Sequence, residues 1–148
     1  MKFRDFANFT VENSVALLYE DSYGAGIILK ELMKALRDRE IYYVVFTDMN
    51  DRRTKKYFES LAKIDSEFGE VLKSVKAVKV GRIREVFNDN LHAYVEMVGD
   101  VEGIFQDLAL VVKKFEEDSL VIYDGMFSFT KCAAKRSFSR VWTDSYPR

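Results

Sequence analysis

The chain is poor in sulfur, imidazole and proline: among its 148 residues there is one cysteine, one histidine and one proline. A lone Cys132 cannot close an internal disulfide, so the fold must rest on its core, and the cytoplasm is the expected compartment. One histidine and one cysteine do not supply an ordinary four-ligand zinc site. A nucleophile triad would need His92 beside Ser22 or Cys132, and no spacing suggests that. His92 reads as a surface or half-buried residue, and Cys132, ahead of Ala133 and Ala134, as a small packing residue. No apolar run approaches the roughly 20 residues that span a bilayer, so no membrane partner is expected. The N-terminal MKFRDFANFTVENS carries acids and lacks an apolar core, so it does not read as a signal peptide. Repeats, low-complexity tracts and linkers are missing too. Residues 1–148 therefore read as a single domain with a basic aromatic segment over 126–148.

What is present suits a well-cored globule. Apolar residues make up 48%, aromatics 14% and charged residues 32%, and a chain this long can bury about 70% of its extended surface. SVALLY (14–19), IYYVVFT (41–47) and SLVIY (119–123) are short, nearly continuous apolar runs, the pattern of strands buried on both faces. VKAVKV (75–80) alternates and ends at Gly81, which predicts another strand. Gly24 and Gly26 break the chain after the first run. Leu29, Leu32, Met33 and Leu36 then recur at helical spacing to about Asp38. Tyr57, Phe58, Leu61 and Ile64 predict a second helix, with a further turn through Val71 and Leu72. Val101, Ile104, Phe105, Leu108, Val111, Val112 and Phe115 predict a third. Between residues 82 and 99 the pattern permits a hairpin closed by Asn88-Asp89-Asn90 or a bent helix. Buried strands alternating with amphipathic helices predict an α/β three-layer sandwich with a mainly parallel sheet. Ligands in such sheets sit beyond the carboxyl ends of the strands.

YEDSYGAGIILKE (19–31) has the outline of a phosphate-binding loop. Such a loop needs glycines that let amides curve around phosphate, a lysine for the β- and γ-phosphates, and a Ser or Thr hydroxyl for magnesium. Aligning the last glycine of the pattern with Gly26 puts Gly24 at an interior position. Asp21 then replaces the first glycine, Ile27 the lysine and Ile28 the hydroxyl residue. Isoleucine offers phosphate no charge and no hydrogen bond. Asp21 adds repulsion of about 1–4 kcal/mol at ~4 Å, depending on screening. Neither tight ATP binding in the usual pose nor hydrolysis is expected. SLVIYD also fits the apolar strand whose closing acid, here Asp124, holds magnesium in nucleoside triphosphatases, although an Asp before Gly125 equally caps a turn.

The order of degenerate loop, helix, IYYVVFTD, helix, VKAVKVG, long helix and SLVIYDG resembles a KaiC/RecA-type ATPase core over about residues 14–125. More closely it resembles an uncharacterised family from hyperthermophilic archaea, built on that core and lacking the loop lysine. The resemblance implies a RecA-like (P-loop-NTPase-like) core. The resemblance supplies no activity; Ile27 and Ile28 in place of the lysine and the hydroxyl, with the surrounding pattern intact, lead to the expectation of a non-catalytic regulatory or protein-interaction module that has lost ATP hydrolysis, with no cofactor.

Two other functions compete with that one. Glu20, Asp21, Asp48, Asp51 and Asp124 all follow predicted strands. Together they could bind magnesium in a phosphotransfer or hydrolytic enzyme, which would also need a phosphate-holding lysine, for which Lys79 inside the VKAVKV strand is the candidate, or they could merely cap turns and helices. Asp21, Gly24, Gly26, Asp48 and Asp124 are thus the ligand-facing candidates, and Asp124 the metal candidate. Net charge is −1 overall, but Lys131, Lys135, Arg136, Arg140 and Arg148 face only Asp144 in the last eighteen residues, a local +4. With Phe127, Phe129, Phe138 and Trp142, that segment suits a nucleic-acid partner, or a protein partner such as a second copy in a homodimer.

Overall fold

The computed structural model describes residues 24–47 and 52–126. In chain order they form α1 (Gly24–Ala35), β1 (Ile41–Phe46), α2 (Arg52–Ile64), α3 (Ser66–Ser74), β2 (Lys76–Gly81), β3 (Leu91–Glu96), α4 (Val101–Val112) and β4 (Leu120–Asp124). The strands make one all-parallel sheet in the order β3-β2-β1-β4. The predicted strand over residues 14–19 and the segment beyond Met126 lie outside the described residues.

Strand alternation sorts the core into two halves. Tyr43, Val45, Ala77 and Ile122 meet Leu32 and Met33 of α1, Phe58 and Leu61 of α2, and Phe68 and Val71 of α3. On the opposite face Val44, Phe46, Val78, Val80 and Val95 meet Ile104 and Leu108 of α4. The α/β sandwich with helices on both faces is therefore as expected. The chain steps from β1 through β2 to β3 in one direction and returns over them to β4. Outgoing connections pack on the α1–α3 face and the returning α4 on the other, as crossovers of a single hand require.

Three local expectations are corrected. Gly24 and Gly26 do not break the chain: they are the first and third residues of α1. Ile64 does not join the core but ends α2 with 78% of its surface exposed. Asp65 stops the helix there and caps α3, its carboxylate accepting from the Phe68 N–H at 3.1 Å. Third, residues 82–99 form neither a hairpin nor a bent helix. β3 runs parallel to β2, with a register shift between Ala77 and Val78. The link over 82–90 is shorter than the dozen or more residues that such crossovers usually take, and it has no helix. Val86 and Phe87 anchor it in the core. Asn88 Nδ2 donates to the Leu72 and Val75 carbonyls at 3.0 and 2.6 Å. Asn90 Nδ2 donates to the Val75 carbonyl at 3.0 Å.

Candidate functional site

In a parallel sheet the helix that follows a strand begins at its carboxyl edge. Thr47, Gly81, Asp124 and Gly125 mark that edge here. It is closed tightly on both sides of β1. A Cβ on Gly81 would collide with the Thr47 carbonyl oxygen, and one on Gly125 would lie 2.6 Å from the Phe46 carbonyl oxygen. Gly125 also has φ +81°, which a side chain rarely tolerates. The two glycines let the neighbouring strands approach the end of β1 at backbone distance.

One polar row crosses the α1–α3 face at this edge. Lys79 pairs in register with Val45, and Val45 with Asp124. Strand spacing sets the Lys79 and Asp124 backbones roughly 10 Å apart. Lys79 has no exposed surface, and its Cε lies 2.9 Å from where a Gly81 Cβ would be, so its stem runs toward the carboxyl edge. Asp124 accepts a 2.7 Å hydrogen bond from the Tyr43 hydroxyl. The Tyr43 ring is fixed edge-on against Phe58 and Phe87, at centroid distances of 5.5 and 5.1 Å. The Asp124 carboxylate is thus held by an immobilised phenol.

The first turn of α1 is covered from another element. A Cβ on Gly26 would collide with the hydroxyl end of the Tyr57 side chain of α2. Gly26 is needed for that contact, whatever else it does. Ile27 is half exposed and Ile28 partly buried. Of the five acids expected to converge, Asp124 is the one described. Glu20, Asp21, Asp48 and Asp51 lie outside the described residues, as do Cys132 and the basic tail with Lys131, Lys135, Arg136 and Arg140. Among the described residues no group of three or more His, Cys, Asp or Glu could hold a metal ion, and no helix is long and apolar enough to cross a membrane.

No family model, curated protein or solved structure matches the chain. Its site must therefore be read from its own residues.

Two features went unremarked in the sequence. The first is an ion cluster linking α1 to the α3 cap. Lys34 Nζ lies 2.8 Å and Lys30 Nζ 3.3 Å from Asp65 Oδ2. The Lys34 hydrogen bond, helped by the Phe68 N–H, pulls the Asp65 carboxyl down to about 2, and the same bond raises Lys34 above its ordinary value. The second is the start of α2, RRTKK, where Arg52, Arg53, Lys55 and Lys56 line a shallow concavity of about 330 Å³ with Glu59. That run was plain in the sequence. Its clustering on one face of the helix was the signal to follow.

Proposed function

We propose that the chain is a non-catalytic RecA/KaiC-like regulatory or protein-interaction module that has lost ATP hydrolysis. The Tyr57 ring over Gly26 carries this reading. In a phosphate-binding loop the glycine keeps the backbone open to phosphate; here an aromatic ring takes that space. The next two side chains, Ile27 and Ile28, have nothing to offer an anion. Calorimetric titration with ATP and magnesium tests the reading. No saturable heat and no phosphate release are expected; micromolar binding or turnover would refute it. The proposed working state is a homodimer or a complex with another protein. The exposed Val98, in the link before α4, and Leu110 within α4, 66% and 61% accessible, favour it. Sedimentation equilibrium of the full chain decides between monomer and dimer.

One observation favours a second reading, a magnesium-dependent phosphotransfer or hydrolytic enzyme. Burying a lysine is costly, and Lys79 is buried on the same row and face as Asp124. A lysine and a carboxylate at a sheet's carboxyl edge are the minimum such chemistry needs. This reading requires magnesium-dependent phosphate release from an aryl phosphate that Asp124→Asn and Lys79→Met each abolish. A wild-type chain with no such activity disposes of it.

A further inference from the structure

We propose that the basic face of α2 docks the phosphate backbone of a nucleic acid. Four cations, Arg52, Arg53, Lys55 and Lys56, occupy four of the first five positions of the helix. Arg52, Arg53 and Lys56 are exposed and Lys55 is partly so. Lys63 continues the charge at the far end, and Glu59 is the one acid within α2 to offset it. Among the described residues none of the four cations is paired with a carboxylate. Four other lysines are paired: Lys30 and Lys34 share Asp65, Lys73 meets Glu70 and Lys76 meets Glu40, whereas Lys63, Lys113 and Lys114 are not paired with a carboxylate among the described residues and do not cluster as the α2 cations do.

The arrangement is unfavourable for the isolated protein in two ways. Arg52 stands three and four residues from Lys55 and Lys56, and Arg53 three from Lys56, so like charges face each other along the helix. All four lie at the positive end of the helix dipole, which favours acids. A bound polyanion relieves both. It also gains the amides of the first helical turn and two guanidinium forks suited to phosphate oxygens.

The chemistry around the patch selects a nucleic acid over a lipid surface. A helix that binds a membrane interface sets exposed apolar side chains beside its cations. In α2 the apolar residues Phe58 and Leu61 are buried in the core, and the exposed Ile64 lies about 18 Å along the axis from Arg52. The acids next in sequence, Asp48 and Asp51, fall outside the described residues. The inference does not depend on the loss of nucleotide binding, since the cations face outward whether or not ATP binds elsewhere.

The test is fluorescence anisotropy of the full chain with a labelled DNA duplex of ~20 base pairs and a matched RNA, from roughly 50 to 200 mM salt. Four phosphate contacts predict a slope of log affinity against log salt of about −3.6 and a loss of about 100-fold over that range. A variant carrying Arg52→Gln, Arg53→Gln, Lys55→Gln and Lys56→Gln is expected to lose at least ~10-fold in affinity and most of that slope, with its melting temperature kept or raised. The pair Arg52→Gln and Lys56→Gln should fall between. A second variant, with Lys131, Lys135, Arg136 and Arg140 changed to Gln, measures the tail's share and should retain the part of the affinity and slope that the α2 variant loses. The proposal is overturned if the wild type fails to bind at low salt, or if the α2 variants bind unchanged. It also fails if only the tail variant loses binding, or if the chain binds anionic vesicles or a phosphopeptide but neither nucleic acid.

Discussion

Replacing Gly26 by alanine separates a packing glycine from a phosphate-binding one. In an open helical turn, alanine is better than glycine by up to about 1 kcal/mol. Here the added methyl would collide with the hydroxyl end of the Tyr57 ring. The ring must swing away, giving up its tilted contact with Phe58 at 6.1 Å, or α1 must shift from α2. Overpacking of this kind costs about 1–3 kcal/mol. The net effect of Gly26→Ala is then a loss of about 0–2 kcal/mol, or a fall in melting temperature of up to about 8 °C for a chain of this length. In a Tyr57→Ala background the clash is gone, and the same substitution should raise the melting temperature by about 2–4 °C. The cycle of four proteins, melted by circular dichroism, should give a coupling of about 1–3 kcal/mol. If Gly26→Ala stabilises both backgrounds equally, the ring does not cover the glycine and the reasoning fails. Uncovering the turn should not create an ATP site, because Ile27 and Ile28 remain; calorimetry on Tyr57→Ala checks this.

Further outcomes follow from single contacts. Tyr43→Phe removes the hydroxyl that holds Asp124 while keeping the ring packing, and should cost about 1–3 kcal/mol in urea unfolding. Asn88→Ala removes two bonds to backbone carbonyls that brace the helixless link and should cost about 1–3 kcal/mol; faster exchange of amides in β3 would locate the effect. Asp65 is lowered in the fold, so its contribution is fully present above its unfolded value near 3.8 and disappears as pH falls toward about 2. The wild type should therefore exceed Asp65→Asn in melting temperature at neutral pH and converge on it toward pH 2. Lys34 is raised, so its share is present below its ordinary value near 10.5 and disappears as pH rises beyond that. Melts of Lys34→Met should accordingly approach the wild type only in strong alkali.

The strands were legible because a parallel sheet covered on both faces needs runs such as IYYVVF, and few other structures tolerate them. α4 was legible because its apolar residues recur at three and four. What escaped depends on residues far away in sequence. Asn88-Asp89-Asn90 is locally a good hairpin turn. The asparagines instead bind carbonyls at the end of α3, and that makes the following strand parallel. Gly26 read as a break because glycine usually marks one; the ring that demands it comes from residue 57. Ile64 kept the helical period but fell beyond it, because Asp65 takes the α3 cap. In VKAVKV the two lysines are three residues apart and so fall on opposite faces of the strand. With helices on both faces, Lys79 had no exposed side to occupy. Of the candidate site residues, the sequence placed Asp124 at the carboxyl edge. It did not reveal the Tyr43 hydroxyl that holds it.

These contacts bear on how one edge of the sheet can be used. Around β1 the backbone is closed by Gly81 and Gly125, the Asp124 carboxylate is held by Tyr43, and the start of α1 lies beneath Tyr57. Each is a packing solution that fills space a small ligand would need. Charge at the start of α2 is arranged on the opposite principle: four cations stand outward, without carboxylate partners among the described residues, on a helix whose own dipole disfavours them. Among the described residues, a closely packed edge beside an outward cationic face suits contact with an extended polyanion better than capture of a small one. An extended chain needs only surface charge, whereas a nucleotide needs a cavity. If that division holds, the four-glutamine variant of α2 and the Tyr57→Ala variant should differ in kind. The first loses salt-dependent binding at kept or raised stability, and the second loses stability at unchanged binding.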